Sequence, residues 1–496
     1  MVAIHTSTLF GKVVEMAKIS AHALSVAATL ALTIASAHAA DLPVKAVAYK
    51  APLVAAYDWT GFYLGVNAGI GLGRDLTRTS VGPGFLTEVQ RPMPFGGLGG
   101  AQIGYNWSAA RLGPASNLVV GIEADIQGTG MTDDRTCVVN VFCPSPSTTT
   151  LSQNLPWFGT ARGRIGIANG AVLKYFTGGF AYGRVETSFN PIGAGVPVSF
   201  NENRSGYVIG SGVEAALGGN WTGKLEYLHV NLGTQTGAPP FSLIPASTFS
   251  SEIHEHIVRV GLNYRIGGSA YMPTPAANWA GFYIGGNVGS VAATNASTIF
   301  LPPGLPAFPV PARLWLSPAG YLGGAQAGYN WQSGNWVYGI EADIQGSTQT
   351  DNKVCIITCI PPVQSVAFDQ RMDWLGTARG RLGYSLGSTL FYVTGGAAFG
   401  NVKTKITTIA GANTFVDDVS ASRTGYAVGG GIESSFNVFG LLGEGWTAKT
   451  EYVFVDLGRS DWTLPASAFQ FSTRVQEHIF RSGVNYHFNQ PVVAKY

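Results

Sequence analysis

The chain has 496 residues, of which only 12% are Asp, Glu, Lys or Arg, and 66 are glycine. Soluble domains average ~25% charged residues and ~7% glycine, so this composition favours a membrane protein or an extended β protein. The net charge of +2, without a basic tail or stripe, argues against a nucleic-acid partner. No apolar run reaches the ~18–20 residues of a membrane-spanning helix, which leaves a closed β-barrel as the way to cross a bilayer.

The N-terminus has the pattern of an export signal. Lys12 and Lys18 precede an apolar segment, and Ala37–Ala39 then forms a small-x-small cleavage site. We therefore predict a signal peptide over residues 1–39. Residues 40–57 contain proline and show no clean period, which predicts an extended periplasmic leader.

The rest of the chain is a duplication. Trp59-Thr-Gly-Phe-Tyr returns about 220 residues later as Trp279-Ala-Gly-Phe-Tyr, a period far above that of solenoid repeats and typical of a duplicated domain. The predicted boundaries are 58–266 for the first copy, 267–278 for a linker, 279–488 for the second copy and 489–496 for a tail.

Each copy contains eight strand candidates. In the first copy they lie at 59–73, 97–107, 117–129, 156–168, 171–187, 205–217, 221–231 and 252–266, and in the second at 279–293, 320–332, 336–347, 372–385, 389–407, 423–436, 446–457 and 473–488. Their connections alternate between long and short, and Asn169-Gly170 predicts a two-residue hairpin turn. Short periplasmic turns and long outer loops are typical of outer-membrane barrels. We predict an all-β fold of two tandem eight-stranded transmembrane barrels, with one sixteen-stranded barrel as the alternative.

Charged and apolar residues alternate within single strand candidates. Glu123 and Asp125 share one face, while Ile122 and Ala124 share the other. A barrel in lipid turns its apolar face outward and keeps a polar interior. Eight charged residues of each copy fall on this inferred lumen face: Glu123, Asp125, Arg162, Arg164, Glu214, Lys224, Glu226 and Arg259 in the first, and Glu341, Asp343, Arg379, Arg381, Glu433, Lys449, Glu451 and Arg481 in the second.

Two interpretations of these charges are open. Paired carboxylates carry out acid–base catalysis in many enzymes. The signs balance, however, with four acidic and four basic residues in each copy, as in a structural network where an uncompensated buried charge is costly. An eight-stranded barrel is just wide enough for its own side chains. We therefore favour a structural network that fills the lumen.

Two further groups of residues are candidate sites. Cys137 with Cys143 and Cys355 with Cys359 occupy equivalent places in the two copies and, without nearby histidine, predict structural disulfides rather than a zinc site. His254 and His256, with Glu252, Glu255, Ser250 and Ser251, are the residue types of a nucleophilic triad, but the second copy keeps only Glu477, His478 and Ser472, and no nucleophile elbow occurs. We predict no enzymatic activity, no metal and no cofactor.

Several motifs together resemble a known family. They are Trp59-Thr-Gly-Phe-Tyr-Leu-Gly, Gly104-Tyr-Asn-Trp107, Gly159-Thr-Ala-Arg-Gly-Arg164, Lys224-Leu-Glu-Tyr227 and Val260-Gly-Leu-Asn-Tyr264. The chain resembles the porin-family outer membrane immunogenic proteins of Gram-negative bacteria, small barrels of the outer-membrane-protein-A type. The resemblance implies eight-stranded barrels, an outer-membrane location and surface-exposed loops. Relatives are credited with envelope integrity, small pores or haem binding, whereas most of them carry a single copy.

These observations lead to one functional prediction with alternatives. We predict an integral outer-membrane protein with a role in envelope integrity and passive passage of small solutes, whose partners are outer-membrane lipids, lipopolysaccharide and the barrel-insertion machinery. The alternatives are an open sixteen-stranded porin, in which the charges would line a channel, and a surface adhesin or haem-binding protein. The adhesin or haem-binding alternative rests on apolar outer loops such as Ile299–Phe308.

Overall fold

The computed structural model describes residues 57–81, 87–90, 92–113, 116–136, 148–192, 196–238, 247–267, 270–272, 274–300, 312–354, 364–436 and 445–488. The predicted signal peptide, the leader up to residue 56, the tail from residue 489 and the four cysteines Cys137, Cys143, Cys355 and Cys359 lie outside these ranges. Among the described residues, no helix is long and apolar enough to cross a membrane.

The first copy forms one antiparallel sheet that closes on itself. Its strands are β1 (Gly61–Gly73), β2 (Leu76–Val81), β3 (Thr87–Gln90), β4 (Phe95–Arg111), β5 (Ser116–Thr136), β6 (Thr148–Asn169), β7 (Val172–Ile192), β8 (Val198–Gly218), β9 (Trp221–Gly237) and β10 (Ser247–Ile266). The eight long strands pair in chain order, and β1 also pairs with β10, from Phe62↔Ile266 to Gly73↔Glu255. Closure leaves no unpaired edge for lipid to meet.

The second copy repeats this topology. Its strands are β11 (Gly281–Ala293), β12 (Asn295–Phe300), β13 (Ala312–Leu316), β14 (Ala319–Ser333), β15 (Trp336–Ser347), β16 (Thr350–Val354), β17 (Gln364–Leu386), β18 (Thr389–Ala410), β19 (Asn413–Ser435), β20 (Trp446–Thr463) and β21 (Gln470–His487). Here β11 closes onto β21, from Tyr283↔His487 to Ala293↔Glu477. The prediction of two eight-stranded barrels is confirmed.

The sixteen-stranded alternative is wrong. It required β10 to pair with β11 across the linker, but β10 pairs with β9 and with the start of its own copy, β1. Each copy closes by itself because the repeat contains both the first strand and the last strand of a barrel.

The predicted alternation appears in the burial of the strands. In β15, Ile340 and Ile344 are 58% and 61% exposed to the surroundings of the barrel, while Glu341 and Asp343 are 5% and 7% exposed. This is the inverse of a soluble sheet and is the pattern of a barrel whose outer face contacts hydrocarbon.

The strands run farther outward than the alternation predicted. The predicted end of β7 was residue 187, but β7 reaches Ile192, and β17 begins at Gln364 instead of residue 372. Residues 74–96, predicted as a loop, contain the hairpin β2–β3, which extends β10. Beyond the lipid both faces of a strand tolerate polar side chains, so the apolar–polar period that marks a strand fades there.

The predicted turn between β6 and β7 needs adjustment. Asn169 pairs with Val172, so the two turn residues are Gly170 and Ala171. Gly170 has φ +54°, a conformation that glycine adopts without strain.

Closure at the β1–β10 seam can be tested by paired cysteines. Leu64 lies opposite Tyr264, and facing residues of an antiparallel pair have Cβ atoms ~4.5–5.5 Å apart. We expect a Leu64→Cys/Tyr264→Cys protein to form the new disulfide under mild oxidation, as measured by mass spectrometry of linked peptides. A Tyr264→Cys/Ile284→Cys protein is the matched control and is expected to stay unlinked. Efficient linkage in the control but not in the first protein would contradict two closed barrels.

Candidate functional site

The sixteen charged residues predicted to face the lumen all lie inside the barrels. Each is between 0% and 7% exposed. In the first barrel they come from β5, β6, β8, β9 and β10, so side chains far apart in sequence meet at one level of the interior.

Arg162 stands at the centre of the first network. Its guanidinium contacts three carboxylates: Glu123, Asp125 at 2.8 Å and Glu226 at 3.0 Å. Arg259 contacts the same three groups, Glu123 at 3.6 Å, Asp125 at 2.8 Å and Glu226 at 2.6 Å. Because every carboxylate touches a cation, the desolvation penalty of burying these charges is offset by short charge-assisted hydrogen bonds.

The remaining members complete the neutralisation. The Lys224 ammonium donates to both oxygens of Glu123, at 2.8 and 3.0 Å. Arg164 donates to Glu214 at 2.9 Å. Lys224 lies on β9 directly opposite Glu214 on β8, so the ladder holds opposite charges beside each other.

The second barrel repeats the network with equivalent residues. Arg379 contacts Glu341 at 2.6 Å, Asp343 at 3.0 Å and Glu451 at 3.4 Å. The other contacts join Lys449 to Glu341 at 2.8 Å, Arg381 to Glu433 at 2.9 Å, and Arg481 to Asp343 and Glu451 at 2.9 and 2.6 Å.

Two buried tyrosines belong to the first network and were missed by the sequence analysis. Tyr63 donates its hydroxyl to Glu123, and Tyr175 donates to Glu226, both at 2.8 Å. The Arg164 guanidinium lies 5.1 and 4.9 Å from the centroids of these two rings, within cation–π range. Both tyrosines share the parity of the lumen charges, which was the signal available in the sequence.

Glycine makes room for these rings. A Cβ atom on Gly104 would lie 2.2 Å from the Tyr63 hydroxyl oxygen, so the ring crosses the lumen where its neighbour on β4 has no side chain. In the second barrel Tyr283 lies over Gly328 in the same way and donates to Glu341 at 2.8 Å.

Apolar layers lie on both sides of the charges. Read from the outer end, the inward residues of β6 are Leu151, Gln153, Leu155 and Phe158, then Arg162 and Arg164, then Ala168, and all are buried. Leu155 and Phe158 belong to one apolar cluster, Leu151 to a second farther out, and Ala168 to a third near the periplasmic turn. On β17 the order is Phe368, Gln370, Met372, Leu375, Arg379 and Arg381. The lumen is therefore packed in alternating apolar and polar layers.

The end of the first barrel that carries the short turns is covered by residues that precede β1. Trp59 is fully buried, and its indole donates to the Gly170 carbonyl oxygen at 3.1 Å. Asp58 accepts hydrogen bonds from the Thr60 amide and the Ser108 hydroxyl, at 2.9 and 3.0 Å. Burial raises the pKa of Asp58, but these hydrogen bonds outweigh it and hold the pKa below its usual value. Asp58 and Trp59 therefore close this end of the lumen.

The structure divides the candidate rim residues between the two faces of β10: Ser251 and Glu255 are buried on the inner face, whereas Ser250, Glu252, His254 and His256 alternate with them. Ser251 faces inward and shares a hydrogen bond with the Thr77 hydroxyl at 2.7 Å. On the same strand Ile253, Glu255 and Ile257 are inward and buried, so His254 and His256 face outward. His256 Nδ1 lies 2.7 Å from the Tyr227 hydroxyl. The wall of the barrel separates both histidines from Ser251.

The comparison with protein families decides what this architecture is. The family described as "Outer membrane protein beta-barrel domain" matches residues 27–265 and again residues 266–488. The chain belongs to this outer membrane β-barrel family.

Named relatives have the same location. The 31 kDa outer-membrane immunogenic protein of Brucella melitensis is 32% identical over 251 residues, which are 48% of this chain and 97% of that protein. The 22 kDa outer membrane protein of Rhizobium leguminosarum bv. viciae is 28% identical over 218 residues, 43% of this chain and 80% of that protein. This β-barrel protein is accordingly an outer-membrane protein of a Gram-negative bacterium, and one copy corresponds to nearly the whole Brucella relative.

Solved barrels give only distant superpositions. Neisserial surface protein A has a TM-score of 0.20 and 11% identity, covering 42% of this chain and 98% of its own. The Pseudomonas putida toluene transporter TodX has a TM-score of 0.23 and 9% identity, covering 86% and 90%. Neither score supports an argument about this β-barrel protein.

The network makes a specific stability prediction. Arg162→Met keeps much of the buried volume but removes one of the four cations of the network, so that four buried carboxylates face three cations. Removing one partner of a buried ion pair costs ~3–5 kcal/mol. We expect a decrease of about that size in the free energy of unfolding, measured by urea titration of the protein folded in phospholipid vesicles.

The matched control is an exposed ion pair on β7. Arg184 contacts Glu186 at 2.7 Å, with side chains 43% and 33% exposed, and such pairs contribute ~0.2–1 kcal/mol. Arg184→Met should therefore change stability little. Equal decreases in the free energy of unfolding for Arg162→Met and Arg184→Met would show that the buried network contributes no more to stability than an exposed ion pair.

Proposed function

We propose that the protein is a structural component of the outer membrane that contributes to envelope integrity through two closed barrels. The observation that carries this proposal is the packing of both lumens, where each charged residue of the network contacts an opposite charge and the network lies between apolar layers. A barrel of this kind strengthens the membrane as a rigid body embedded in the bilayer. This role does not require a pore.

Passive passage of small solutes is the less favoured role. A conducting pore needs a continuous path of polar, hydrated surface. In the first barrel that path would have to pass Leu155 and Phe158, which are 1% and 0% exposed, and then Trp59, which is 0% exposed. Closely packed apolar residues exclude water as well as ions.

The charged residues also fit a structural role better than catalysis. General acid–base catalysis needs a group that can exchange a proton with a bound substrate. The side chains of Arg162, Asp125 and Arg259 are each 0% exposed and are engaged by one another, so a substrate has no access to them. Both copies keep the same network, because the lumen of each barrel has the same buried charges to neutralise.

A surface-recognition role rests on the outer loops. Most of Ile299–Phe308, the loop that suggested it, lies outside the described residues, so the geometry adds nothing to this alternative. The word immunogenic in the names of the Brucella relatives describes those proteins and does not define a ligand.

The proposal is tested by deleting the gene and measuring two properties of the cells. We expect greater sensitivity to sodium dodecyl sulfate and leakage of periplasmic enzymes, because a rigid element of the membrane is lost. The influx of a small hydrophilic solute, measured by its hydrolysis in the periplasm, should not decrease. Arg184→Met should restore the envelope and serves as the complementation control. Reduced influx with an intact envelope would instead identify a channel.

A further inference from the structure

Two buried carboxylates near the outer end of the first barrel stand apart from the charged network. Asp75, between β1 and β2, is 0% exposed, and Glu255 of β10 is 1% exposed. Neither oxygen of Glu255 has a hydrogen-bond partner within the described structure, and Asp75 Oδ2 has none either. A buried carboxylate that lacks both a donor and a cation is costly, so this pair needs either a proton or a cation.

The two side chains converge on one part of the inner wall. The Asp75 carboxylate accepts a hydrogen bond from the His254 amide at 2.7 Å, so it lies beside the residue that precedes Glu255. Gly73 pairs directly with Glu255, and a Cβ atom on Gly73 would lie 2.8 Å from Glu255 Oε2. The same Cβ atom would lie 2.6 Å from Pro94 Cδ. The Glu255 carboxylate and the Pro94 ring therefore share the space that this glycine leaves free.

Residues 92–94, here called the outer segment, are buried and lie immediately before β4, at the outer end of the barrel. The amides of Gly73 and Asp75 donate to the carbonyl oxygens of its two prolines, at 2.7 and 3.0 Å. The amide of Met93, its central residue, donates to Asp133 Oδ2 at 2.7 Å. Asp75 therefore binds the outer segment through its backbone and lies beside Glu255 through its side chain.

The surrounding elements bring no cation into contact with the pair in the part of the chain that the structure describes. On β5 the nearby charge is Asp133, which repels Asp75, and the residue of β9 that pairs with this position is the apolar Val230. Arg259 is the next inward charge of β10, and its guanidinium contacts the carboxylates of the network. The charge of Arg74 acts on the two outward histidines of β10. Neutralisation by a neighbouring arginine or lysine is therefore not available.

The second barrel keeps this arrangement but changes its charge. Asn295 takes the place of Asp75, and its Oδ1 accepts the backbone amide of the equivalent residue of β21 at 3.0 Å. Glu477, which corresponds to Glu255, accepts a hydrogen bond from Gln349 at 3.3 Å. The second barrel thus holds one carboxylate and an amide where the first barrel holds two carboxylates.

The pair lies beyond the hydrocarbon of the bilayer. The outer face of a barrel is apolar where it contacts lipid tails, but Glu252 and His254, the outward residues of β10 at this level, are polar. Burial and the charge of Asp75 raise the pKa of Glu255 well above its usual value. Burial also raises the pKa of Asp75 well above its usual value, although the hydrogen bond from the His254 amide opposes this change. Two neighbouring carboxylates in such surroundings cannot both ionise at neutral pH.

We propose that Asp75 and Glu255 hold a shared proton at neutral pH, and that this proton keeps the outer segment in place at the end of the first barrel. A protonated carboxyl group is a hydrogen-bond donor, so one member of the pair can donate to the other. Loss of the proton leaves two like charges beside the apolar Pro94 ring. The outer segment is hydrogen-bonded to Asp75, so their repulsion displaces it.

The direction of the pH dependence follows from the raised pKa values. A carboxyl group whose pKa is raised by folding stabilises the folded form less as the pH rises through that folded-state pKa. The outer segment is therefore held at neutral pH and released at alkaline pH. The charged network below it remains closed, because its carboxylates contact arginine and lysine.

Hydrogen exchange of the full-length protein in phospholipid vesicles tests the proposal. Mass spectrometry follows a peptide of residues 92–98, and each exchange rate is corrected for the intrinsic effect of pH. From about pH 6 to about pH 9 we expect the protection factor of the wild type to fall, by roughly tenfold for each pH unit above the pKa of the pair. Heat-modifiable migration in electrophoresis verifies that the barrels stay folded.

Two variants identify the groups responsible. Asp75→Asn introduces the residue of the second copy, keeps the acceptor for the His254 amide and supplies a donor for Glu255, so it should lose much less protection at alkaline pH. Glu252→Gln is the matched control, because it removes an exposed carboxylate of the same strand that contacts Arg78 at 2.8 Å. It should behave like the wild type.

Three results would overturn the proposal. The first is a wild-type protection factor that does not change with pH. The second is an equal loss of protection in the wild type and Asp75→Asn. The third is full recovery of the wild type at alkaline pH on addition of calcium, which would show that the pair binds a metal ion instead of a proton.

Discussion

One arginine in each barrel, Arg162 or Arg379, contacts three carboxylates, and the closed interior depends on this contact. Lipid accepts neither charges nor unpaired backbone groups. A sheet that crosses it must therefore close, and the polar residues of its inner face must satisfy each other. In a barrel of eight long strands the opposing walls are close enough for side chains to meet across the lumen. The tyrosine hydroxyls, the glycines beneath their rings and the apolar layers are arranged around that meeting point.

Comparison of the two copies shows which residues the closed, charge-paired interior requires. The two copies keep every member of the charged network, although they differ at many outward positions: Leu225 corresponds to Thr450, and Lys174 to Phe391. Inward residues are fixed by their partners on other strands, while outward residues need only to suit their surroundings. Outward differences therefore occur on several strands, as at Ile103 of β4, which corresponds to Ala327 of β14.

The fold was largely predictable because its main determinants are periodic and local. Alternation of Ile122, Glu123, Ala124 and Asp125 gives the two faces, and repetition of the opening and sealing strands gives two barrels. The partners of each charge were not predictable, since they depend on register and on strand tilt. Tyr63 is the clearest case: its parity places it on the lumen face, but the space for its ring comes from its pairing with Gly104 on another strand. The outer strand ends were missed because alternation fades above the lipid.

The central claim, that paired charges and apolar layers close both lumens, is tested most directly by electrical recording. The purified full-length protein is inserted into a planar lipid bilayer, and its folding is verified by heat-modifiable migration. The account predicts a membrane that stays at baseline conductance at moderate voltage while folded protein is present. Large, stable and reproducible conductance steps would contradict it, because they require a continuous water-filled path through layers that are packed with side chains.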